Sequence, residues 1–152
     1  MNLGFHVVNA LSPVADAFAA AADTDIIDAG GGDGVLFIIQ QGVNGGGIST
    51  VTVEASSTIT ATAVATVPFV YRSCVATDVW GVWTAAAATG FSSSAVADSM
   101  HQIYVDSAEI AEAGYRYVRL STDETTDQAV IASILAIVIN PRYSVAPSSA
   151  LD

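Results

Sequence analysis

The hydrophobic pattern changes its period within residues 34–55, GVLFIIQQGVNGGGISTVTVEA. Residues 35–41 are a short apolar run without alternation, rich in β-branched and aromatic side chains, which predicts a strand covered on both faces. Residues 49–55 alternate instead. Ser49, Val51, Val53 and Ala55 fall on one face and Thr50, Thr52 and Glu54 on the other, the pattern of a strand with one wet side. Between them Asn44, Gly45, Gly46 and Gly47 accept the positive φ angles of a tight reversal, which predicts a hairpin.

The same reading carries through the chain. In residues 1–24 the spacing of Leu11, Val14, Ala15, Phe18, Ala19 and Ala22 fits a short helix with Ser12 as cap and Pro13 at its first position. The competing expectation is an extended arm, because Leu3, Phe5, Val7 and Val8 have no evident partner. Residues 24–29 read as a short strand, 58–64 as a strand alternating with threonine, and 69–75 as a strand opened by Pro68. In residues 78–84 strict alternation sets Trp80 and Val82 on one face and Trp83 on the other. Residues 85–94 read as a loop or weak edge strand, and 102–105 as a strand. A helical turn follows, with Asp106 as N-cap, Glu109 at the reciprocal capping position and Gly114 as terminator. Residues 115–120 are a strand, 121–128 a polar acidic loop, and 129–139 a final, nearly all-apolar strand. That run is about half the ~20 residues of a spanning helix, so a buried strand is expected rather than a membrane anchor. About eight strands without a βαβ rhythm predict an all-β fold, an antiparallel β-sandwich or jelly roll. The expected organisation is an arm or short helix over 1–24, one β-sandwich domain over 25–143 and a C-terminal tail over 144–152.

Composition sharpens this picture. The 152 residues suit one domain, and only 12% are charged, so much of the surface is expected to meet protein. Fifteen acidic residues face four arginines and no lysine, a net charge of -11 that argues against electrostatic binding of nucleic acid or anionic lipid. Residues 1–10 lack a basic segment, so no secretion signal is read. Cys74 stands alone, which excludes an internal disulfide and fits folding in a reducing cytoplasm.

Candidate chemistry is sparse. His6 and His101 lie in no recognised motif, and nothing around Cys74 resembles a cysteine-enzyme signature. One cysteine and two distant histidines make a poor zinc set, and Asp28 and Asp33 flank glycines at a spacing that suits a turn better than a calcium loop. Glu109 and Glu112 serve helix and solvent more naturally than a carboxylate pair, and no glycine loop precedes a helix as phosphate binding requires. The expectation is a non-enzyme with no cofactor and no metal.

The segments TDIIDAGGGDGVLFIIQQGVNGGGISTVTVEAS, FVYRSCVATDVWG, TAAAATGFSSS and ILAIVINPRY, and above all YVDSAEIAEAGYRYVRL, resemble the head decoration, stabilisation or cement proteins of tailed bacteriophages. The resemblance spans residues 16–143. It implies a virion component made in the host bacterial cytoplasm, placed on the capsid outer surface, and bridging major capsid subunits, commonly as a homo-oligomer. Lacking lysine, the chain has no amine side chain to give a covalent lysine–asparagine clamp, so bridging would be non-covalent. A closed trimer is the favoured oligomer. Two other readings stay open: a carbohydrate- or receptor-binding jelly roll using Trp80, Trp83 and Tyr104, or a head–tail connector or tail-tube subunit. Candidate interface residues are Leu3, Phe5, Leu11, Val14, Phe18 and Trp83. Docking is expected to hold as salt rises, with Arg72, Arg116, Arg119 and Arg142 either reaching carboxylates across an interface or pairing within the fold.

Overall fold

The computed structural model describes residues 4–76, 78–141 and 150–151. Its strands are β1 (Phe5–Val14), β2 (Ala21–Asp23), β3 (Ile26–Asp28), β4 (Gly34–Asn44), β5 (Ile48–Ser56), β6 (Ala65–Val67), β7 (Phe69–Ala76), β8 (Val79–Trp80), β9 (Thr84–Ala86), β10 (Phe91–Ser92), β11 (Met100–Asp106), β12 (Tyr117–Thr126), β13 (Val130–Ile139) and β14 (Ala150–Leu151). A 3-10 turn (Ala29–Gly31) and one short helix, α1 (Ser107–Glu112), complete the described elements. Two seven-stranded antiparallel sheets face each other as a β-sandwich. Sheet 1 runs β1-β13-β4-β11-β7-β8, with β9 also on β7; sheet 2 runs β10-β5-β12-β3-β14, with β6 on β5 and β2 on β12.

The core is the product of period-two patterning on both sheets. From sheet 1, Val35, Phe37, Ile39, Ile103, Ile134, Ala136 and Val138 point inward; from sheet 2, Ile27, Val51, Val53, Ala55, Val118 and Leu120 meet them. These residues are at most 2% exposed, so the alternation read from residues 49–55 has its dry side against the opposing sheet.

That opposition corrects the predicted hairpin. β4 pairs with β13 and β11, while β5 pairs with β12, β10 and β6, so the turn at residues 45–47 carries the chain from one sheet to the other. Face-to-face packing of Phe37 and Ile39 against Val51 and Val53 satisfies both strands better than lying side by side. The turn itself is an Asx turn: Asn44 Oδ1 accepts from Gly46 N at 2.7 Å, and Gly46 takes φ +106°.

The N-terminal segment differs more. Residues 5–14 form neither helix nor free arm but the strand at the edge of sheet 1, paired antiparallel with β13 from Phe5↔Ile139 to Val14↔Ala132 through two register shifts. The open edge of β13 offers a ladder of backbone partners, which outweighs a weak helical periodicity. Phe18, 1% exposed, drops into this chain's own core. Residues 58–64 are also not a strand: they form an exposed turn region, with Ala61 at φ +46°, because their apolar positions find no opposing sheet. In contrast, residues 121–126 continue β12, which pairs with β5 in register as far as Glu124↔Ser49 and, after one register shift, at Thr126↔Ile48, with Thr122 buried. The predicted helical turn is present as α1, where Asp106 Oδ1 accepts from Ala108 N at 2.7 Å and Gly114 follows at φ +83°. Of the expected tail over 144–152, Ala150–Leu151 pairs with β3; the other residues lie outside the described ones.

Candidate assembly face

The outward face of sheet 1 is built by registered rows. One row runs Val7–Ile137–Leu36–Tyr104–Val70, and the next runs Asn9–Leu135–Ile38–Gln102–Arg72. Phe5 and Ile139 continue it at one end, Ser133, Gln40, Met100 and Cys74 at the other. Phe5 is 49%, Val7 47%, Leu135 39% and Ile131 43% exposed, whereas Leu36, Ile38, Ile137 and Ile139 are half-buried by one another. The two central rows carry one charged side chain, Arg72, and the row of Phe5 and Ile139 ends through Gly34 on a second, Asp106. A contiguous apolar field of this kind is a candidate interaction surface.

Arg72 is held rigidly at the margin of this field. Its Nε donates to Gln102 Oε1 at 2.7 Å, and its guanidinium lies 4.9 Å from the Trp80 ring and 4.7 Å from the Trp83 ring. Both indoles therefore serve one cation, which corrects their predicted placement on opposite faces. The strand breaks between Trp80 and Thr84, with Gly81 N donating to Ser73 O at 2.9 Å, and the break shifts the parity. No described carboxylate pairs with Arg72. Arg116 and Arg119, by comparison, pair internally: Arg116 grips Asp28 at 2.7 and 3.0 Å, and Arg119 bridges Asp23 at 2.9 Å and Glu54 at 2.7 Å. The fork with Asp28 pushes the Arg116 guanidinium further above its ordinary range. Arg142 lies outside the described residues.

Beside Arg72 on the same face, Pro68, Val70, Ala85, Tyr104, Asp106 and Glu109 line a pocket of ≈ 340 Å³. One wall is apolar and the other carries both carboxylates. Burial first, then Asp106, Asp33 and Glu109, raise the Tyr104 hydroxyl above its usual value. Tyr104 sits in the row of Val70, two rows from the Cys74–Trp80 pair, so the aromatics named for a glycan site do not form one platform.

Sequence-derived interface residues divide accordingly. Phe5 lies on the face and Trp83 at its margin, Val14 is 45% exposed at the end of β1, Leu11 packs on the core, Phe18 is buried, and Leu3 lies outside the described residues. Leu36, Ile38, Leu135 and Ile137 were missed. Their signal was present: residues 35–41 and 129–139 read as apolar on both faces, and the described residues pack a second sheet against only one face of each.

The interior holds one polar group of interest. His101, 1% exposed, has Nδ1 2.8 Å from Ser73 Oγ, while Nε2 accepts from Ser94 N at 3.4 Å and the ring tilts on Phe91. An accepting Nε2 leaves the proton on Nδ1, which then donates to Ser73; the serine is not activated as a nucleophile. Burial lowers the His101 pKa to about 4. Cys74 is one residue further along β7, on its other face, so the two are not brought together as a dyad. Among the described residues, no three His, Cys, Asp or Glu side chains cluster to hold a metal. Asp28 is occupied by Arg116 and Gly30 N, and Asp33 Oδ2 accepts from Asn140 Nδ2 at 3.1 Å.

No protein-family model matches the chain, and no curated protein is detectably similar to it.

Proposed function

We propose that the protein is a structural component of a phage virion, which decorates and stabilises the capsid exterior by non-covalent bridging of major capsid subunits as a homo-oligomer. The observation that supports this reading is the outward face of sheet 1. Two adjacent strands, β4 and β13, are apolar on both sides, yet among the described residues only their inner sides meet an opposing sheet. A protein that works by burying surface across joints needs such a face and needs no catalytic group. With a net charge of -11, contact through a neutral field also keeps carboxylates of neighbouring subunits apart. The phage resemblance supplies the setting.

The test is reconstitution on purified capsids stripped of this protein. Wild-type protein should bind in many copies per particle and raise the temperature at which heads open, and Leu135→Glu should do neither. Binding at one or a few positions per virion would favour the connector reading, and no binding to heads would remove the proposal.

A further inference from the structure

The unpaired arginine and the acidic pocket lie on one face, two outward rows or about 14 Å apart along the strands, and they are complementary. Arg72 projects in the row of Gln102, at one side of the row Leu36–Tyr104–Val70; Asp106 and Glu109 lie at the other side. We propose that two copies of this chain pack through the outward faces of sheet 1 about a two-fold axis, so that Arg72 of each enters the Tyr104–Asp106–Glu109 pocket of the other. This rests on the assembly reading above and assigns the apolar face to the self-contact of the homo-oligomer, so that the pair bridges capsid subunits through its remaining surfaces.

The two-fold follows from the layout. An axis running across the strands at the level of Leu36 and Tyr104 reverses the second copy's strands, which carries the Gln102 level of one copy onto the Asp106 level of the other. Successive outward residues are about 7 Å apart along a strand, so the displacement on each side of the axis is equal. An isologous contact needs both halves on the same surface, as here, whereas a three-fold ring joins two different surfaces. The geometry thus favours a pair over the trimer expected from sequence.

Charge and area agree. Two chains of -11 repel, and the carboxylates of this face gather at its Tyr104 end, where Asp33 stands beside the Asp106 and Glu109 pair that Arg72 meets. The indoles of Trp80 and Trp83 hold the guanidinium plane in place, so little side-chain freedom is lost on docking. Five strands about 4.8 Å apart and roughly 25 Å of their length give roughly 600 Å² in plan, near the ~800 Å² per partner of a standard interface once side-chain relief is added. Arginine between tryptophans at the edge of an apolar field is also the composition of an interface hot spot.

The experiment is sedimentation of the full chain, free of capsids, at about 1–100 µM, with a charge-swap cycle. Wild type should be a dimer. Arg72→Glu and Glu109→Arg should each weaken association at least tenfold, and the double variant should recover most of the loss. Glu109 is exposed in the first turn of α1, so Glu109→Arg should lower the thermal midpoint only slightly, and a near-native midpoint with weakened association guards against misfolding of Arg72→Glu. A wild-type chain that stays monomeric throughout, or a double variant no tighter than either single one, overturns the proposal. The two readings separate on capsids: monomers that decorate heads normally would overturn this inference alone, and dimers that ignore heads would overturn the capsid reading alone.

Discussion

The two outward faces of the sandwich obey the same alternation and carry opposite chemistry. On sheet 2 the residues between the buried Val51, Val53, Val118 and Leu120 are Thr50, Thr52, Glu54, Arg119 and Ser121, knitted by the Asp23–Arg119–Glu54 bridge. On sheet 1 the equivalent positions are Leu36, Ile38, Leu135 and Ile137. Water satisfies the first set. The second set adds nothing to the isolated fold that threonine would not, so its apolar character points to contacts beyond the chain. A sheet's inner face reports the fold, and the contrast between its outer faces is what the assembly proposal rests on.

The largest effect should come from placing the same charge on each face. Ile137→Lys should weaken association about a hundredfold, or about 2.7 kcal/mol, while the half-buried position costs the monomer about 1 kcal/mol of stability. Thr50→Lys on sheet 2 should leave association unchanged. Lysine reduces the net negative charge in both variants, so added repulsion between chains does not explain a loss. Sedimentation equilibrium reads the first quantity and urea melts the second; equal effects from both faces would erase the contrast.

Between the faces, His101 should make the fold acid-sensitive. Its folded pKa is lowered from 6.5 to about 4 by burial. The neutral ring is therefore favoured by folding, its contribution is fully present above pH 6.5, and it is lost as pH falls toward and through 4. The full difference is about 3 kcal/mol. Urea midpoints of wild type and His101→Gln between pH 7.5 and 4 should converge, because only the wild type carries this term. Parallel pH profiles would show that His101 is not held neutral.

A smaller effect belongs to sheet 2. Arg119→Met leaves Asp23 and Glu54 without their shared cation and should cost about 1 kcal/mol, shrinking as salt rises, since the bridge is partly exposed. Association should not change. A drop in association with Arg119→Met would mean that the charged face also takes part.

The sequence made the sandwich legible wherever one strand face is wet. Val51, Val53 and Ala55 announced a core strand because threonine and glutamate separate them, and the Asp106 cap announced α1 because a side-chain oxygen three residues ahead of an acid is a local signal. Partners in space were not legible. Nothing in residues 44–47 distinguishes a hairpin from a passage between sheets, since the same backbone reversal serves both. The strand at residues 5–14 depends on the open edge of β13, more than a hundred residues away in sequence. Trp80 and Trp83 met on Arg72 because the strand breaks at Gly81, which strict alternation does not anticipate. The face itself was half legible: unalternated apolar runs signal two covered sides, and the described residues pack a sheet against only one of them.

Hydroxyl-radical footprinting of the full chain, compared between its assembled and dilute states, tests the assembly proposal most directly, because each face carries its own oxidisable reporters. Met100, Tyr104 and Trp83 report on sheet 1, and Tyr117 reports on sheet 2. The account predicts that oxidation of Met100, Tyr104 and Trp83 falls severalfold on assembly while that of Tyr117 is unchanged. Protection of Tyr117 with the sheet 1 reporters still open would contradict it.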